Sequence, residues 1–337
     1  MLVAFVCFTG TAAAQEAVVF VLDSPINEDF LAGRVLGLRA DDITHGSLVG
    51  RVIHSYCRAP LKSIPVEDVE GRADRSRYLD GLREALDYAR THTDVHVIVN
   101  VSLGSPNPSQ EEERLVTALG DEGALVVAAA GNDDSNKLTY PAAYDGVIAV
   151  ASAGPRGKAP SSNYGPQIDV AASGDISFMD YEFLPYEWLR REMEARGTSF
   201  AAPRVAATLA FLLDHAPRLS GQDALRIVLD TARPIDDRYF EGGMLGAGLL
   251  DVRRAKSAVA RWYGFANFVL PVCVWVILGV FSAYLCLTRG MVGAFLSLML
   301  WILVFPASFF LLVQMGRWLQ YAGGGSLVVG LGGGGIL

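Results

Sequence analysis

The sequence predicts a three-layer α/β domain around a mainly parallel sheet, followed by an apolar C-terminal region. Three observations predict it. Between residues 16 and 262, short continuous apolar runs alternate with stretches of helical period, the pattern of strands buried on both faces and joined by crossover helices. The apolar runs end on acids, glycines or asparagines, which close strands and open turns. Beyond Asp251 there is no acidic residue at all, and after Arg261 the only basic ones are Arg289 and Arg317.

The elements follow in order. Residues 1–15, "MLVAFVCFTGTAAAQ", have a short apolar core and an Ala12-Ala13-Ala14 site of the kind signal peptidase cuts, without a basic start; they are expected to be a signal peptide or its remnant. "AVVFVLD" (17–23), "VHVIVNVSLG" (95–104), "ALVVAAAGN" (124–132) and "GVIAVASA" (146–153) are the expected strands. "HGSLVGRVIHSYC" (45–57) is expected to be a helix opening on His45. A second, "SRYLDGLREALDYARTH" (76–92), sets Leu79, Leu82, Leu86 and Tyr88 largely on one face. A third, "QEEERLVTALGDEG" (110–123), begins with acids and closes on glycines, as the helix dipole and C-cap chemistry prefer. "GTSFAAPRVA" (197–206) reads as the start of a further helix, with Pro203 tolerated in its first turn.

Two uncharged stretches, Trp262 to Thr288 and Gly290 to Gly316, each exceed the ~20 apolar residues that cross a bilayer. They are expected to form two transmembrane helices over 263–316, with membrane lipid as a partner, followed by a Gly-rich tail (317–337). Setting aside Arg289 and Arg317 leaves 26 basic residues against 36 acidic ones, a balance that gives no support to nucleic-acid binding. Of the four cysteines, Cys7, Cys273 and Cys286 fall in apolar terminal segments and only Cys57 in the predicted domain, so no disulfide framework is expected there.

Ligands of open α/β sheets bind beyond the carboxyl ends of the strands. Asp23 ends the first strand, Asn132 follows the third, and His45 and Ser199 open helices, so all four can converge on one edge. Acyl transfer needs these types: a hydroxyl nucleophile, an imidazole to take its proton, a carboxylate to hold that imidazole, and donors aimed at the developing oxyanion.

These residues resemble the subtilisin-like serine peptidases, over most of residues 17–258 and in the chain order Asp, His, Ser. The resemblance assigns "VLDS" the family aspartate at Asp23, "HGSLVG" the histidine at His45, "AAAGN" the oxyanion asparagine at Asn132, and "GTSFAAP" the nucleophile at Ser199. It makes Ser102, Leu103 and Gly104 one wall of the primary specificity pocket and Ala129, Ala130 and Gly131 the other, with Thr139 near its floor. "DSP" and "HGSL" are mild departures from the family pattern. The implied function is a serine endopeptidase acting on protein or peptide substrates, in a domain spanning 16–262. The alternatives are a catalytically silent binding module and a membrane adaptor using the domain as a scaffold. No cofactor is expected other than the structural calcium common in the family, for which no acidic loop here has ligand spacing that would place a site. Arg253, Arg254, Lys256 and Arg261 before the first stretch would favour a cytoplasmic domain. The Ala-rich N-terminus and the family habit favour the outer side of a bacterial-type inner membrane, which is the expectation retained.

Overall fold

The computed structural model describes residues 17–33, 42–68, 72–176, 196–216, 219–264, 277, 279–284 and 286–293. The chain divides into two compact units, Met1–Ala255 and Lys256–Leu337. In the first, the order is β1 (Ala17–Asp23), α1 (Glu28–Leu31), α2 (His45–Tyr56), β2 (Leu61–Pro65), α3 (Arg75–Thr91), β3 (His96–Val101), α4 (Gln110–Asp121) and β4 (Leu125–Ala129). β5 (Ile148–Gly154), β6 (Gly157–Lys158), β7 (Val170–Ala172), α5 (Thr198–His215), α6 (Gly221–Thr231) and α7 (Arg238–Glu241) follow, and α8 (Val252–Gly264) runs across the boundary between the units.

The sheet runs β2-β1-β3-β4-β5, all parallel, with β7 parallel to β5 and β6 folded back antiparallel on β5. Every residue of β1 and β4 is buried, which is why these segments read as unbroken apolar runs. Side chains alternate across the sheet. Val18, Phe20 and Leu22 join Val97, Val99 and Val126 in a core with Tyr78, Leu79, Leu82 and Leu86 of α3 and Val116 and Leu119 of α4. The opposite face is covered by α2 and α5, and α5 packs across β1, β3, β4, β5 and β7. Apart from Ser199, Phe211, Asp214 and His215, the whole of α5 is buried, and its small residues Ala201, Ala202, Ala206 and Ala207 let it lie close to the strands.

Two elements depart from the sequence reading. β2 lacked the length and apolarity to be recognised: in "LKSIP" four residues are only half-buried and Pro65 is exposed, because it is the sheet edge. Pro203 is not in the first turn of α5 but is its sixth residue, where a missing N–H does cost a helical bond, to the carbonyl four residues back. That carbonyl belongs to Ser199, and Ser102 Oγ donates to it instead at 2.8 Å.

Among the described residues, no helix is long and apolar enough to cross a membrane. Most of both expected spans (263–316), the tail (317–337) and the expected signal segment (1–15) lie outside the described residues.

Candidate active site

The strand order reverses direction at β1, which has β2 on one side and β3 on the other. That switch point opens a crevice at the carboxyl ends of the strands. Asp23, the last residue of β1, therefore lies at the edge where α2 begins, and it is fully buried. Its Oδ1 accepts from the Ser24 N–H at 2.8 Å and the Ser24 hydroxyl at 3.2 Å. His45 Nδ1 sits 2.8 Å from Oδ1 and 3.0 Å from Oδ2. A carboxylate facing Nδ1 places the proton of a neutral imidazole there and leaves Nε2 as a free base.

His45 is held in this attitude by the start of its helix. Thr44 caps α2 by accepting from the Ser47 N–H, and its own hydroxyl donates to the Pro25 carbonyl. The Gly46 N–H donates to Ser24 Oγ at 2.8 Å, so strand end and helix start are bonded directly. The approach is close enough that a methyl group on Gly46 would lie 2.0 Å from the Ser24 carbonyl oxygen. Gly46→Ala is accordingly expected to destabilise the domain by about 1–3 kcal/mol, the usual cost of overpacking. The denaturation midpoint would fall, and an unchanged midpoint would contradict this packing.

Burial by itself lowers the pKa of His45. The Asp23 carboxylate, through its charge and its hydrogen bond, and then Glu67 outweigh it, so the imidazole ends above 6.5.

Ser199 is half-buried in the first turn of α5. The next residue, Phe200, packs its ring 5.1 Å from that of His45, so the starts of α2 and α5 are neighbours. Among the described residues no hydrogen bond joins Ser199 Oγ to His45.

Asn132 lies beyond β4. Its Oδ1 accepts from the Thr198 N–H at 2.9 Å and from the Thr198 hydroxyl at 3.1 Å. A backbone N–H can only donate, so the carbonyl end of the amide must face Thr198. Among the described residues neither Asn132 Nδ2 nor the Ser199 N–H, in the first turn of α5, makes a hydrogen bond. Two donors of this kind, added to the positive end of a helix, can hold a developing oxyanion.

The expected pocket walls leave the sheet from adjacent strands: Ser102, Leu103 and Gly104 after β3, and Ala129, Ala130 and Gly131 at the end of β4. Gly131 adopts φ +108, a conformation that favours glycine. Between the walls stands Thr139, whose N–H donates to the Ala130 carbonyl at 3.0 Å. A methyl group on Gly104 would lie 2.4 Å from Thr139 Oγ1, and one on Gly131 would lie 2.9 Å from its Cγ2. The threonine side chain thus lies against both glycines, and the Asn163 amide borders Gly131 beside it. Asp133, which follows Asn132, is exposed.

Sequence reasoning missed Glu67. Its carboxylate, with those of Asp23 and the ring of His45, forms a cluster whose polar atoms lie within 4.8 Å of one another. The register that pairs Asp23 with Pro65, and the bonds from the Val66 and Glu67 N–H groups to the Asp23 carbonyl at 2.8 and 3.4 Å, bring it there. The only signal in the sequence was an acid just past an edge strand that was itself unrecognised. Among the described residues this is the one grouping of three or more His, Cys, Asp or Glu side chains. An imidazole among two carboxylates does not suit calcium, which takes six to eight oxygen ligands, so no calcium is assigned to it.

The family model described as the Subtilase family matches residues 32–265. The chain is 34% identical to Subtilisin DY of Bacillus licheniformis over 165 residues, 48% of this chain and 57% of that protein. It is 31% identical to Subtilisin BL of Lederbergia lenta over 198 residues, 58% of this chain and 68% of the relative. It therefore spans little more than half the length of the first of these relatives. Among solved structures, a lanthipeptide protease is similar in fold, with a TM-score of 0.55 at 20% identity, over 71% of this chain and 86% of that one.

Proposed function

Because the chain belongs to the subtilase family, we propose that it is a serine endopeptidase whose nucleophile is Ser199. His45 is its base, Asp23 the carboxylate that orients the base, and Asn132 a donor to the oxyanion. The observation that carries the reading is the 2.8 Å pairing of His45 Nδ1 with a fully buried Asp23, beside the start of the helix that bears Ser199.

In the proposed reaction, Ser199 Oγ attacks the peptide carbonyl carbon as His45 Nε2 takes its proton. The carbonyl oxygen becomes an anion held by Asn132 Nδ2 and the Ser199 N–H. Collapse of this intermediate breaks the C–N bond, and His45 returns the proton to the leaving amine. Water then repeats the sequence on the acyl-enzyme and frees Ser199. Asp23 holds the imidazole through Nδ1 and stabilises the imidazolium.

The test is covalent labelling of the full chain by a fluorophosphonate. Labelling that Ser199→Ala abolishes is expected; a silent binding module or a scaffold would not label in either form.

Substrate is proposed to be a protein or peptide chain, with residues 102–104 and 129–131 receiving the side chain before the cut bond. The uncharged stretches from Trp262 to Thr288 and from Gly290 to Gly316 are proposed as a membrane anchor, with the catalytic domain on the extracytoplasmic side. The full chain should then stay with membranes through an alkaline carbonate wash and be released by detergent. Its recovery in the carbonate supernatant would end the anchoring proposal.

A further inference from the structure

We propose that Glu67 is a second carboxylate of the catalytic centre, a positioning residue that acts on the reaction through His45 and displaces activity toward alkaline pH. The inference rests on the peptidase reading above and adds a residue to it.

Three observations converge. The Glu67 carboxylate lies in the same 4.8 Å cluster as the Asp23 carboxylate and the His45 ring. It is half-buried, so water screens it incompletely. It also makes no side-chain hydrogen bond among the described residues, so no local structural task accounts for its placement, while its backbone is tied to the Asp23 carbonyl. The position is built by the sheet and the carboxylate is left free to act by charge.

β1 contributes Asp23, bonded to His45 Nδ1. The segment after β2 contributes Glu67, with Asp68 acting in turn on Glu67. From α5 the neighbour is the uncharged ring of Phe200. Both charges that face the imidazole are therefore negative and favour its protonated form. Glu67 itself is pushed above the ordinary carboxylate range, first by burial and then by the nearby Asp23 charge, while His45 pulls it down. Part of the cost of setting two carboxylates together is thus offset when the imidazolium forms.

The sign follows. A base that holds its proton more tightly is neutral only at higher pH, so activity is lost as pH falls through a pKa above 6.5. The same carboxylate favours the imidazolium that forms in the transition state. Removing its charge has two effects: the acid limb moves down, and kcat on the plateau falls without a change in KM.

The experiment is the pH profile of kcat/KM for the full chain, wild type, Glu67→Gln and Glu67→Asp, on a neutral peptide substrate. Glu67→Gln is expected to move the acid limb about one unit lower, the size typical of an opposite charge removed at this range, with KM unchanged. Glu67→Asp, which keeps the charge, should stay near the wild-type limb and serves as the control for folding. An acid limb that does not move in an active Glu67→Gln overturns the inference. So does a raised KM with an unmoved limb, which would make Glu67 a substrate contact. Either result leaves the peptidase reading intact; that reading fails separately, if Ser199→Ala retains wild-type activity.

Discussion

Ser199→Ala is expected to lower kcat/KM by about 10⁴-fold or more while leaving the stability of the domain unchanged. That magnitude is general to Ser-His-Asp triads, subtilisin among them, and is not a quantity read from this geometry. What the structure adds is the second half of the statement. The Ser199 hydroxyl makes no hydrogen bond among the described residues, and α5 takes its cap from Gly197 without a side-chain bond. The backbone of residue 199 is held by other groups: its carbonyl accepts from Ser102 Oγ at 2.8 Å, and Ser102 Oγ accepts in turn from Asn100 Nδ2 at 2.9 Å. Deleting the hydroxyl removes the proposed nucleophile and nothing that supports the fold. The measurement pairs turnover of a peptide substrate with the thermal midpoint of the same preparation. A midpoint that collapses with activity would show the hydroxyl to be structural.

Thr139→Gly is expected to change which residue is accepted before the cut bond, from small side chains to large apolar ones. Thr139 lies against both Gly104 and Gly131, with its Oγ1 and Cγ2 inside contact distance of any methyl group placed on either. An aromatic side chain entering between these walls would have to displace it. The threonine is itself held by a bond from its N–H to the Ala130 carbonyl at 3.0 Å. Pocket contacts the size of a methylene are worth about 10- to 200-fold in selectivity. The ratio of kcat/KM for Phe over Ala at that position should therefore rise about 100-fold in the variant. A peptide library profiled with both forms gives the answer. A wild type that already prefers Phe would mean that the slot lies elsewhere.

The predicted strands and helices of the first unit were legible for a physical reason. A parallel sheet buried on both faces leaves unbroken apolar runs such as "AVVFVLD", and the amphipathic helices that cover it, such as α3, leave a 3.6-residue repeat. The edge strand β2 has neither signature, because half-burial lets Lys62 and Ser63 stand in it. Pro203 was placed a turn too early for a related reason. Sequence marks a tolerated proline but not the donor that replaces its lost bond, and Ser102 lies 97 residues away from the carbonyl it satisfies.

By itself, the sequence determined the residue types of the candidate site and their chain order, because Asp23, His45, Asn132 and Ser199 each lie at or just beyond the end of an element whose period is local. It also determined the apolar character of the C-terminal region, since charge content needs no fold to be read. Only the tertiary structure decided which neighbours these side chains meet. Parallel pairing of β2 with β1 in one register carries Glu67 to His45, and the crossing of the 139–140 segment beneath the wall after β3 sets Thr139 between two glycines. Both depend on contacts between residues distant along the chain, whose energy no local pattern encodes.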